Sequence, residues 1–124
     1  MPASEPIPIT GTADAKAEQL DQVFFALSDP VRRAILGQLD QGPLLVSEIA
    51  APFAISLQAV SRHIQVLVRA GLISQARTGR ISRCSLDAEP LSEAAFWLNR
   101  YAKYWQGQFE VLAQHLIDIE KEKS

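Results

Sequence analysis

Apolar residues recur along this chain with a helical period. Ala17, Leu20, Val23, Phe24 and Leu27 fall on one side of a helix that begins near Ala13 and stops near Ser28. The stretch "DPVRRAILGQLD" starts a second helix. Asp29 can accept from the free N–H groups of its first turn, and Pro30 suits the first helical position, where a missing N–H costs nothing. Val31, Ile35, Leu36 and Leu39 form its inner side, and "QGP" ends it. A short third helix is expected from Val46 to Phe53, because Pro52 would break a longer one. The fourth is "SLQAVSRHIQVLVRAGL". Ser56 caps its start, Val60, Ile64, Leu67 and Val68 should face inward, and Gly71 can take the left-handed conformation that ends helices.

The period then changes. In "LISQARTGRISRCSL" two short β-prone runs flank "TG", which predicts a hairpin. After "DAEPLSEAAF" the helical period returns and predicts one long last helix reaching about Lys121. Leu91, Leu98, Trp105, Leu112 and Ile119 recur every seven residues, and Ala95, Ala102, Phe109 and Leu116 form a second row four residues on. Trp97, Tyr101 and Tyr104 lie beside this stripe. So much apolar surface on a terminal helix exceeds what a small domain needs to cover and predicts self-association. Residues 1–12 hold three prolines and no periodic pattern, so they are expected to be a flexible tail before a domain spanning 13–124.

Composition narrows the class. The chain has 124 residues, 48% apolar and 21% charged, enough for one globular domain with a real core. Its single cysteine, Cys84, cannot form an internal disulfide and reads as a structural thiol. The N-terminus lacks the basic start and apolar stretch of a signal peptide, and no apolar run approaches the roughly 18 residues of a membrane span. A cytoplasmic location with no membrane partner is expected.

Charge changes the picture further. The net charge is −2, yet from Ile49 to Leu86 the charged residues are Arg62, Arg69, Arg77, Arg80 and Arg83, with no Asp or Glu among them. Arginine forks suit phosphates and guanine edges, so this segregation suggests a polyanion on one face. The third and fourth helices form a helix-turn-helix and the hairpin a wing, a fold mainly α with a small β-hairpin and five helices. In such motifs the second helix enters the major groove and its N-terminal half reaches base edges. Gln58, Ser61 and Arg62 occupy the outer side of its first two turns; Gln can pair with adenine and Arg with guanine. Arg69, Arg83, Arg32 and Arg33 read as surface or phosphate-contacting residues.

The stretches "ALSDPVRRAILGQL", "LLVSEIAAPFAISLQAVSRHIQVLVRAGLI" and "RTGRISRCSLD" resemble the ArsR/SmtB family of bacterial winged-helix repressors. The resemblance implies a homodimer, built from the first and last helices, that binds double-stranded operator DNA near its own promoter and blocks transcription. It places Ser56, Gln58, Ala59, Ser61, Arg62 and His63 at DNA-contact positions of the reading helix. His63 either touches a phosphate or packs at the helix edge. Arg77, Thr78, Gly79 and Arg80 match the wing tip. Leu20, Phe24, Leu91, Leu98, Tyr101, Trp105, Phe109, Leu112 and Leu116 fall on the dimerising helices.

The departures from the family pattern matter as much. Metal-sensing relatives carry a cysteine pair where Leu45 and Ser47 stand here, and others place Asp and His ligands on the last helix, which here offers only His115 with Asp118. That set is short of a four-ligand shell, so no metal and no cofactor is expected. Redox-sensing relatives couple two cysteines, and this chain has one. Ala54 stands in the turn where glycine often supplies a positive φ. An unidentified small-molecule effector is a further partner class. No nucleophile with a base and no glycine-rich phosphate loop is present, so an enzyme is not expected. The alternative to a repressor is a winged-helix protein-interaction module without DNA binding.

Overall fold

A computed structural model describes residues 15–123; the expected tail and the first residues of the domain lie outside the described residues. The order is α1 (Ala15–Leu27), α2 (Pro30–Leu39), β1 (Leu44–Leu45), α3 (Val46–Ala50), α4 (Leu57–Arg69), β2 (Ile73–Thr78), β3 (Ile81–Leu86), α5 (Glu89–Leu98), a 3-10 segment (Asn99–Tyr104) and α6 (Gln106–Lys123).

Local chemistry accounts for the boundaries. Asp29 Oδ2 accepts from the N–H groups of Val31 (2.8 Å) and Arg32 (3.1 Å), so α2 starts where its cap was expected. Those bonds hold the Asp29 carboxyl below its usual value: the Arg32 N–H acts most, against the opposing effect of burial, and neighbouring His63 and the Val31 N–H help. Glu48 reaches back to accept from the Leu45 N–H at 2.8 Å and so closes the start of α3. This helix ends at Ala50, sooner than expected: Pro52 has no N–H to continue it, and the Phe53 N–H bonds to Ala50 O in a turn instead. Ser56 Oγ accepts from the Ala59 N–H at 3.0 Å to cap α4. Gly71 ends α4 at φ +79°, with Leu72 N–H bonded to Leu67 O and Gly71 N–H to Val68 O. These are the paired bonds of a Schellman cap.

The core lies where α1, α2, α3 and α4 meet the sheet. Val23, Ile35, Ile49, Val60, Ile64, Leu67 and Leu72 are fully buried there, with Ala94 from α5. Apolar burial of this kind is the main favourable term in folding. The sheet order is β1-β3-β2, antiparallel throughout. The expected hairpin is β2–β3. The third strand is an addition: Leu44 and Leu45 pair with Cys84 and Arg83. Two residues carry no readable period, so only the long-range pairing reveals them. Cys84 therefore lies in the central strand at 0% exposure, as a structural thiol should, and burial pushes its thiol above the usual value.

The single long last helix is corrected to two helices, giving six among the described residues in place of five. Side-chain contacts accompany the interruption. Arg100 Nε donates to Trp97 O at 3.1 Å, the carbonyl that the Tyr101 N–H would take in an unbroken α-helix. Its guanidinium lies 4.8 Å from the Trp97 ring centre, and the Trp97 and Tyr101 rings meet at a tilt with centres 5.6 Å apart. Trp105 then leaves helical geometry at φ −135°. Among the described residues no helix is long and apolar enough to cross a membrane.

Candidate nucleic-acid interface

The reading helix is held by its inner side and open on its outer side. Val60, Ile64 and Leu67 fix α4 in the core, while Gln58, Arg62, Gln65 and Arg69 are exposed. Ser56 is exposed at the cap, its oxygen taken by Ala59 and its hydroxyl proton left to donate. Ala59 is half-buried. Ser61 is half-buried too and lines a groove between α4 and the hairpin.

The hairpin forms the far wall of that groove, and Arg77 and Arg80 line it. Thr78 pairs with Ile81 across a two-residue tip, Gly79–Arg80. Gly79 has φ +63° and Arg80 has no positive φ, the sign pattern of a type II′ turn, which twists with the strands it joins. The groove and α4 are tied together by polar contacts. Gln65 Nε2 donates to Gln75 Oε1 (3.3 Å), and Gln75 Nε2 donates to Ser82 Oγ (2.6 Å). No carboxylate lines the groove. Sequence reading passed over this chain of glutamines and the exposed Leu57 and Ile81 beside it, because neither has a local pattern of its own. The turn needs no glycine: Ala54 is not at positive φ.

His63 and Arg32 face each other inside the domain. His63 is half-buried and turned away from the groove, with Nδ1 3.2 Å from Arg32 Nη1 and 3.8 Å from Asp29 Oδ2. Arg32 is not on the surface at all. It is 8% exposed and donates to the carbonyls of Ala26 (2.8 Å) and Phe25 (2.9 Å) at the end of α1. A signal existed in the sequence, since Arg32, Ile35, Leu36 and Leu39 share one helical face. Arg33 is exposed and donates to Leu27 O. Arg83 is exposed in β3.

This is a winged helix-turn-helix in layout, and comparison with known proteins agrees. A helix-turn-helix domain family matches residues 27–76. The chain is 37% identical over 79 residues to the transcriptional repressor SdpR of Bacillus subtilis, covering 64% of this chain and 88% of that one. It is 37% identical over 100 residues to the HTH-type transcriptional regulator Rv2034 of Mycobacterium tuberculosis, covering 81% and 90%. The crystal structure of an ArsR family transcriptional regulator superposes with a TM-score of 0.68 at 40% identity, covering 73% of this chain and 93% of the other. The chain belongs to the ArsR family of transcriptional regulators. It is a DNA-binding repressor of that type.

The residues expected at a dimer contact divide between the core and the surface of the chain. Phe24 packs edge-on against Trp97 at 5.9 Å, and Leu20, Phe24 and Leu91 are half-buried against the core of the regulator's own chain. Leu98, Tyr101, Phe109, Leu112 and Leu116 are exposed, and Trp105 is half-buried beside Phe109. No residue of α6 is buried. Among the described residues no group of three or more His, Cys, Asp or Glu could hold a metal ion.

Proposed function

We propose that this regulator binds its operator as a homodimer, with α4 in the major groove and the β2–β3 tip against the flanking phosphates or minor groove. The observation that carries the reading is the groove between α4 and the wing: it is lined by Ser61, Gln65, Arg77 and Arg80 and by no acid. Gln58 and Arg62 project from the same helix as base readers, and Ser56 with the α4 N-terminus faces a phosphate. Thr78 and Gly79 bring the wing tip backbone close to the duplex.

The second copy is proposed to cover the open apolar side of the last helices, where Phe109 is 59%, Leu112 52% and Leu116 56% exposed. Leu98, Tyr101 and Trp105 would continue that contact toward α1. The protein is taken to act in the cytoplasm, as one DNA-binding and dimerising domain over 13–124, and not as an enzyme. Its release from DNA is assigned to a signal other than a metal: Leu45 and Ser47 offer no thiolate, and His115 with Asp118 is too small a donor set for tight zinc binding. A small molecule is the proposed effector class.

The test is a titration of the dimer on DNA from its own upstream region. Log affinity should fall linearly and steeply with log salt, since each neutralised phosphate releases about one counterion. Protection of two inverted half-sites about one helical turn apart, or a multiple, is expected. Absent or salt-independent binding, with capture of a protein on the Arg62 face instead, supports the interaction-module alternative.

A further inference from the structure

Arg32 is the one buried charged residue among those described. Burying a guanidinium is costly unless its donors are met. Nε donates to Ala26 O, and Nη2 to Phe25 O and, at 3.5 Å, to Ser28 Oγ. These groups lie at the end of α1, where free carbonyls and the helix dipole both favour a cation. The Phe25 ring lies 4.9 Å from the guanidinium carbon, and Asp29 is nearby on the α2 cap. One arm remains. Nη1 lies 3.2 Å from Nδ1 of His63, in the middle of α4. Arginine can only donate, so Nδ1 accepts and the ring proton belongs on Nε2.

Val60, Ile64 and Leu67 set the depth and the inward face of α4, and Gln65 ties its outer side to the hairpin through Gln75. The His63 contact adds a directional restraint on the inner side of the turn that carries Ser61 and Arg62. A hydrogen bond to a buried, fixed donor is directional. His63 follows Ser61 and Arg62 in the same turn, so the angle fixed at His63 is also the angle at which those two meet DNA.

We propose that His63 is a positioning residue for DNA reading. Its Nδ1, held by the buried Arg32, sets the rotation of α4, and His63 itself does not touch DNA. This rests on the DNA-binding reading above and adds a specificity role to a side chain that faces inward.

The test compares wild type with His63→Asn, His63→Gln and His63→Leu on upstream-region DNA and on a scrambled duplex, each over a salt series. Asn carries an acceptor near the place of Nδ1; Gln places its amide further out; Leu has none. His63→Asn should keep operator affinity within about twofold. Gln and Leu should lose about tenfold on the operator, the size of one charged hydrogen bond, with little change on the scrambled duplex and an unchanged salt slope. In the folded wild-type protein, the nitrogen chemical shifts of His63 should show protonated Nε2 and bare Nδ1. Equal operator binding by Leu and wild type overturns the proposal. So does a salt slope about one unit lower in all three variants, which marks a lost phosphate contact. A protonated Nδ1 at neutral pH overturns the Arg32 geometry without any DNA measurement. Wild-type protein that binds no DNA overturns the underlying reading as well, and is seen before any variant is compared.

Discussion

Arg62 and Arg32 are the same residue type with opposite fates. Arg62 is exposed on α4 beside the acid-free groove; Arg32 is enclosed by the last turn of α1. Arg62→Ala should weaken operator binding by about 1–3 kcal/mol if it reads a base, and a binding isotherm measures this directly. Gly71 has φ +79°, and a Cβ there would lie 2.9 Å from Gln19 Nε2 and 3.4 Å from Pro90 Cγ. Gly71→Ala should therefore cost stability by about 1 kcal/mol or more, seen as a lower urea midpoint at constant m. Cys84 is enclosed by the sheet and its thiol is pushed up by burial, so a thiol reagent should label it only on unfolding. Labelling at the rate of a free thiol in the native protein would contradict its place in β3.

The α2 cap is the element whose stability depends most clearly on acid. The folded Asp29 carboxyl titrates below its ordinary value of 3.8, chiefly because the Arg32 N–H bonds to the charged form. A depressed carboxyl adds stability that is fully present above the unfolded value and lost as pH falls through the folded one. Wild type should thus lose an increment of stability below about pH 3.8 that Asp29→Ala lacks. At neutral pH the variant should be less stable than wild type, as a lost cap requires. Thermal melts of both proteins across pH 2.5–7 give the comparison. The broken last helix is the counterpart case. Its heptad spacing predicts one continuous rod, but the backbone passes through a 3-10 segment at Asn99–Tyr104, where Arg100 Nε bonds to Trp97 O.

At the scale of the whole molecule, α6 has no residue buried in its own chain, which makes it the natural test of assembly. Leu112→Glu combined with Leu116→Glu should leave the winged-helix core folded, because neither side chain packs into the core of its own chain. The same protein should sediment as a monomer and lose affinity for a two-half-site operator, since each copy then engages one half-site alone. Sedimentation of the variant as a dimer would place the interface elsewhere.

Much was legible without coordinates. The caps at Asp29 and Ser56, the stop at Gly71, the inner faces of α2 and α4 and the hairpin all follow from local chemistry, in which residues three or four apart decide what the backbone can do. The family and the arginine-rich, acid-free segment follow from the linear order of residues as well. What waited for the tertiary structure was everything set by residues distant in sequence. The β1 strand exists because Leu44 and Leu45 meet β3 nearly forty residues on. Arg32 is covered by the end of α1, and His63 on α4 meets it 31 residues along the chain. A chain can announce its periods and its stops by itself. Which polar group finds which partner depends on where the helices cross, and that is decided only when the core closes.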